Sequence, residues 1–270
     1  MASTDFEIRP LRTTAECHAA VALQRDVWGN DYTDVVPASF LHVVEYVGGL
    51  AAGAFDANGA MAGFVFGVNG VRDGEIVHWS HMLGVTEAAR NSGLGRLLKE
   101  YQRDTLRELG VTRIFWTFDP LMSKNAYFNI RRLGAEVVEY VPDMYGSSAS
   151  KLHLGLATDR LIACLRTTPR APSAAVSIAG APVLSPFPRL DDFSASICHA
   201  LPDVALIETP TDILELLSRS PEAAKTWRLA VRDHFKWAMA NDYEVVGVEQ
   251  DRAQGRFFYV VQRRGSSPSE

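Results

Sequence analysis

Val85-Thr-Glu-Ala-Ala-Arg90-Asn91-Ser92-Gly93-Leu94-Gly95-Arg96-Leu-Leu98 is the stretch on which the reading of this chain turns. The run before it, Ile76 to Val85, is β-branched and aromatic and has no Pro, whereas Leu94, Leu97, Leu98 and Tyr101 after it recur at helical spacing. That pattern predicts a strand, a tight turn and a helix. The glycines permit positive φ and let another group come close to the backbone. Successive N–H groups opening onto a helix N-terminus make a nest with about half a positive charge, for which a phosphate is a natural guest.

The spacing is neither G-x-G-x-x-G nor G-x-x-x-x-G-K-S/T, which excludes the dinucleotide and P-loop patterns on residue count. Arg90-x-x-Gly93-x-Gly95 resembles instead the R/Q-x-x-G-x-G/A pyrophosphate loop of the GCN5-related N-acetyltransferase (GNAT) superfamily, with Val85 at the usual place upstream. A second match is Asn125 ahead of Gly134, like the N-A-x-x-x-(Y)-x-x-x-G helix of that family. The stretches H-W-S-H-M-L-G-V, W-T-F-D-P-L and N-A-Y-F-N, with W-R-L-A-V-R downstream, look like a bacterial branch of predicted acetyltransferases carrying a C-terminal extension.

At 270 residues, 47% apolar and 22% charged, the composition is that of an ordinary globular chain. No apolar run approaches ~18 residues and no basic-then-apolar leader opens it, so no membrane partner and a cytoplasmic location are expected. Cys17, Cys164 and Cys198 are far apart and outside C-x-x-C spacing, which suggests neither a disulfide framework nor zinc. The histidines show no metal-ligand spacing either, so no metal is expected. A net charge of −5 without a long basic run argues against nucleic acid as partner.

The predicted order is β, α, α, β, β, β, α, β, α, β, β through about residue 165, an α+β arrangement. A strand at Phe6–Leu11 precedes a helix opened by the capping box Thr13-Thr-Ala-Glu16, and Pro37 begins a second helix that stops at Gly48-Gly49. Strands at 50–55, 60–68 and 76–85 form an antiparallel meander; after the helix come strands at 113–118, 136–140 and about 150–156, with a helix from Ser123 to Leu133. This order matches the GNAT fold, whose mixed, mostly antiparallel twisted sheet splays into a V. The expected division is a catalytic domain at 1–166, a Pro-rich linker at 167–190, a C-terminal α/β segment at 191–264 and a tail at 265–270. Within the C-terminal segment, a strand at 205–208, helices capped by Thr211 and Ser220, and a hairpin of 244–248 with 256–261 are expected.

The resemblance implies acetyl-CoA, or another small acyl-CoA, as co-substrate. Its pyrophosphate would lie on Arg90, Asn91, Ser92, Gly93, Leu94, Gly95 and Arg96, with Asn125 on the pantetheine arm and Leu83 and Val85 offering backbone groups to it. Lys99 could also approach the phosphates. An N–H near Leu83 would polarise the thioester carbonyl. The family often has a Tyr four residues before the closing glycine as general acid; Ile130 stands there, and Tyr145 or Tyr127 could replace it from another direction. His81 is the candidate base, because a histidine titrates where an amine must lose its proton. Alternation places Trp79 and Leu83 on its face and His78 and Ser80 on the other. Asp119 would orient His81, receive an acceptor ammonium or cap a turn. Arg228 and Arg232 need anions, from an acceptor or from the chain's own carboxylates. No cysteine suggests an acyl-enzyme. Direct transfer to a small-molecule amine is therefore expected, with the C-terminal segment covering the acceptor side or pairing subunits as a homodimer. Decarboxylation, O-acylation and a non-catalytic CoA-binding module are the alternatives.

Overall fold

The computed structural model describes residues 6–30, 32–146, 156–168, 176–185 and 201–265. The chain divides into two compact units: Met1–Trp116 with Ala149–Leu152 and Leu165–Arg170, and Thr117–Ser148 with His153–Cys164 and Ala171–Glu270. The cut lies inside a strand, so residues 1–166 contribute to both units.

In the first unit β1 (Glu7–Pro10), β2 (Leu50–Phe55), β3 (Met61–Arg72), β4 (Glu75–Val85) and β5 (Arg113–Phe118) lie in that order, the first four antiparallel and β5 parallel to β4. A parallel pair needs a crossover. Here it is α3 (Leu94–Glu108), whose buried stripe of Leu94, Leu98, Lys99, Gln102 and Leu106 packs on the sheet. The opposite face carries α1 (Thr14–Trp28) and α2 (Ala38–Val43). The expected capping box forms, with Thr13 Oγ1 accepting from the Glu16 N–H and Glu16 accepting from the Thr13 N–H. Pro37 caps α2, which tightens into a 3₁₀ turn over Val44–Val47 and stops at left-handed Gly48. Gln24 is buried on α1 beside Cys17, Ala20 and Leu23. It both donates to the Val36 carbonyl and accepts from the Val36 N–H, tying down the loop after α1.

The central irregularity is a β-bulge in β4. Phe66 faces Met82 and Gly67 faces Ser80, which leaves His81 as the extra residue. The bulge overturns the simple alternation expected along this strand. His78 and Ser80 face α3, as do Leu83 and Val85 beyond the bulge, while His81 and Met82 face the α1–α2 side with Phe66. Leu83 therefore does not share His81's face. One extra residue changes which parity points inward.

The second unit contains α4 (Ser123–Ala126), β6 (Glu136–Val141) paired antiparallel with β7 (Arg160–Arg166), and a sheet in the order β10-β11-β9-β8. Its strands are β8 (Val183–Leu184), β9 (Val204–Thr209), β10 (Tyr243–Asp251) and β11 (Arg256–Arg263). Two helices accompany them, α5 (Ile213–Arg219), capped by Asp212 rather than Thr211, and α6 (Pro221–Ala240), capped by Ser220. The helix expected over 123–133 is α-helical for only its first turn. A π-helical stretch follows at Tyr127–Arg132, where the Leu133 N–H reaches the Phe128 carbonyl at 3.0 Å. The strand expected at about 150–156 falls almost wholly outside the described residues, as does the tail beyond 265; β7 begins at Arg160. The Pro-rich stretch contains β8, so its described part is not a bare linker.

Candidate active site

The glycine turn takes the form that its sequence requires. After a 3₁₀ turn at Glu87–Ala89, Asn91 has φ 63 and Gly93 has φ 90, and Gly93 leads directly into α3. Ser92 Oγ closes the turn, donating to the Ala89 carbonyl at 2.7 Å and accepting from the Leu94 N–H at 3.3 Å. Among the described residues the N–H groups of Asn91, Gly93 and Gly95 meet no acceptor. They are the orphan donors of a helix start, an electropositive nest for an anion. Arg90 is exposed, and Arg96 pairs with Glu100 at 2.8 Å on the outer face of α3. Nothing fills the space where a Cβ on Gly93 would stand.

The strand that delivers this turn also offers a free edge. Thr86 N–H donates to Ala62 O, so Gly84 and Thr86 point their backbone groups at β3; by alternation Leu83 and Val85 point theirs the other way. On that side β5 pairs with β4 only at Val77↔Arg113, His78↔Ile114 and Trp79↔Phe115. From Ser80 onward this edge has no strand partner among the described residues. An extended ligand with amide groups can add to such an edge as a further strand.

His81 sits on the bulge with its ring open to solvent and edge-on to Phe66 at 6.1 Å. Surrounding protein lowers its pKa below the usual 6.5, with Asp34 opposing the shift, so the ring is neutral and able to accept a proton at pH 7. Phe40 stands against Phe66 at 5.7 Å, and Tyr32 stacks on Trp28 at 5.8 Å. The face around His81 is thus aromatic.

His78 has the opposite character. It is fully buried, its Nδ1 is 2.6 Å from Asn69 Oδ1, and its Nε2 is 3.1 Å from Gln102 Nε2. Gln102 Oε1 accepts from Lys99, so its amide nitrogen donates to His78 and the imidazole proton resides on Nδ1. Burial and the nearby Lys99 cation push His78 down to about 3. It is a neutral structural histidine. Lys99 itself turns inward to Ser80 Oγ, 2.7 Å away, and does not point at the turn as expected. Its position on the buried stripe of α3 dictates that direction.

The remaining candidates lie in the second unit. Asp119 Oδ2 binds Arg228 at 2.5 Å with Arg160 at 3.7 Å, while Oδ1 accepts from the Leu121 N–H at 2.8 Å. Asp119 therefore serves both a turn and an ion cluster. Arg232 grips Asp159 with two bonds, at 3.0 and 2.5 Å, so both arginines of α6 find carboxylates of the chain itself. Tyr145, half exposed, places its OH 3.1 Å from Thr117 Oγ1 and its ring under Arg160. Asn125 is exposed on α4, and Ile130 lies in the π-helical stretch. Bulge, buried lysine network and π stretch escaped the sequence reading. Glycines inside the strand patterns, Gly67 opposite the bulge among them, were the signal for the first.

No protein-family model matches the chain, and no curated protein does. Solved structures similar to it include the ribosomal-protein-S18-alanine N-acetyltransferase of Escherichia coli, at 17% identity and TM-score 0.47 over 63% of this chain and 99% of that one. A GNAT-family acetyltransferase of Streptococcus pneumoniae has 18% identity and TM-score 0.48, covering 60% and 99%. An aminoglycoside 6′-acetyltransferase of type Ii has 18% identity and TM-score 0.48, covering 61% and 99%. At these values likeness alone decides neither family nor chemistry. Among the described residues no helix is long and apolar enough to cross a membrane, and no three His, Cys, Asp or Glu converge as metal ligands.

Proposed function

We propose that this chain is an acyl-CoA-dependent N-acyltransferase with the GNAT arrangement, moving an acetyl or other short acyl group to a small-molecule amine in the cytoplasm. The observation that carries this reading is the continuity of one strand: the outward-facing backbone of Leu83 and Val85 runs straight into the nest of Asn91, Gly93 and Gly95. Pantetheine carries amides spaced for strand addition, and pyrophosphate suits the nest. One ligand joins both features.

In this reading the thioester carbonyl lies against the Leu83 N–H, which would stabilise the oxyanion as the amine attacks. A donor of this kind is worth ~10²–10³ in rate. His81, neutral and solvent-open, takes the proton from the attacking nitrogen. Carbon–nitrogen bond formation and carbon–sulfur cleavage then release CoA thiolate, a leaving group of ordinary thiol pKa. Aromatic side chains near His81 suit an amine with an apolar body better than a polycation.

The test is release of free thiol from acetyl-CoA by the purified chain, alone and against a panel of amines, amino acids and aminoglycosides. Acceptor-dependent release is the expected result. Replacing Gly93 with Val should cut CoA affinity at least tenfold, because a branched side chain resists φ 90 and would occupy the phosphate's place. Unchanged affinity would remove the cofactor assignment. CoA binding without turnover would favour a non-catalytic module.

A further inference from the structure

Strands β4 and β5 part company at a defined point. Their last pair is Trp79↔Phe115, so Ser80 and Trp116 are the first residues past the fork. Lys99 spans it: Nζ donates to Ser80 Oγ at 2.7 Å and lies 4.1 Å from the centre of the Trp116 ring. The third direction goes to Gln102 Oε1 at 3.2 Å. Lys99 is 5% exposed and Ser80 5%, Gln102 0%, and among the described residues no carboxylate pairs with the ammonium.

Stability alone gives no reason for a lysine here. The position belongs to the apolar stripe of α3, between Leu98 and Leu106, where Leu or Met would bury a side chain without a charge. Burying an ammonium without an anion is costly even when its protons are bonded. A residue kept against that cost, at the closed end of the free β4 edge, marks a working position.

We infer that Lys99, held between Ser80 and Trp116, is the floor of the acyl channel and a specificity-determining residue that restricts the enzyme to short acyl groups. The inference rests on the reading of the β4 edge as the acyl-CoA site. From Leu83, where the thioester would lie, to Ser80 the bulged strand advances only as far as β3 does from Val65 to Gly67, roughly 7 Å. A two- or four-carbon acyl chain stops short of the bridge. A longer one would press methylenes onto a buried ammonium and break its bonds to Ser80 and Gln102, which a hydrocarbon cannot replace.

The experiment is equilibrium binding of CoA, acetyl-CoA, butyryl-CoA and octanoyl-CoA to the full chain and to Lys99→Met and Lys99→Ala, without any acceptor. Wild type should bind octanoyl-CoA at least tenfold more weakly than acetyl-CoA. Lys99→Met should narrow that gap severalfold and Lys99→Ala more, both with CoA affinity unchanged, which a general loosening of the fold would not give. Should wild type bind octanoyl-CoA as well as acetyl-CoA, or a folded variant keep the wild-type ratio, the floor assignment is wrong. Failure of wild type to bind CoA at all would instead overturn the cofactor reading and this inference with it. The wild-type series decides the matter even if a variant does not fold.

Discussion

His81 and His78 are three residues apart on one strand and have opposite chemistry, because burial and neighbours rather than residue type set a pKa. His78 lies within a chain of bonds from Lys99 through Gln102 to Asn69 and on to the Gly48 carbonyl. His81 reaches solvent with a pKa below the ordinary value. A base works only when unprotonated, so kcat/KM should fall with a midpoint below pH 6.5 as the solution is acidified and level off above it. In His81→Gln that acid limb should disappear and the plateau should drop ~10²-fold or more. A wild-type limb retained in the variant would assign it to another group. Gly67 makes a second residue-scale case. A Cβ there would stand 2.2 Å from His78 Nε2 and 2.4 Å from the Trp79 carbonyl, and neither buried group can give way. Gly67→Ala should therefore cost about 2–4 kcal/mol in urea unfolding; a loss under 1 kcal/mol would mean that the bulge relaxes.

At the scale of elements, α3 has two jobs with different sequence signatures. Its N-terminus was legible as Gly93-Leu-Gly95, since a positive φ selects glycine. The inward course of Lys99 was not, because a lysine among leucines reads as surface until the opposite strand shows Ser80 and Trp116. Burial lowers Lys99 to about 7. Its pKa in the unfolded chain is near the ordinary 10.5, so below pH 7 both states hold the proton and the full burial penalty applies. As pH rises through 7 the folded state gives up its proton first, and stability rises until about 10.5. Wild type should gain on Lys99→Met over that interval, by up to about 1.4 kcal/mol per pH unit. Parallel stability curves for the two proteins from pH 7 to 9 would show that the ammonium is not desolvated. The bulge in β4 and the π stretch after α4 were hidden for a related reason: each inserts one residue into a repeat, and the periodicity is read by assuming that none is inserted.

For the whole molecule, strand and helix order along residues 6–146 was legible, because hydrophobic period, caps and glycine stops agree there. Long-range charge pairing was not. Nothing local says that Arg232 will hold Asp159 or Arg228 hold Asp119, and those ties organise the second unit around Tyr140, Phe235 and Tyr259. Burial works against the Asp159 carboxylate, yet Arg232, the Tyr140 hydroxyl and the Asp143 N–H together hold its pKa below the ordinary value. A depressed carboxylate contributes stability above its unfolded pKa of about 3.9 and loses it as pH falls further. Asp159→Asn should destabilise the chain by about 3–5 kcal/mol at pH 7, leaving Arg232 without its anion, and the gap from wild type should shrink below pH 4. A variant as stable as wild type at pH 7 would show that Arg232 finds another partner.

The central claim is that one acyl-CoA lies along the outer edge of β4 and ends in the glycine nest. Amide hydrogen exchange, read residue by residue with and without acetyl-CoA, tests it directly. The account predicts new protection at Leu83 and Val85 together with Asn91, Gly93 and Gly95, and no change at Gly84 or Thr86, which already bond to β3. Protection confined to other segments, or none at saturating acetyl-CoA, would contradict it.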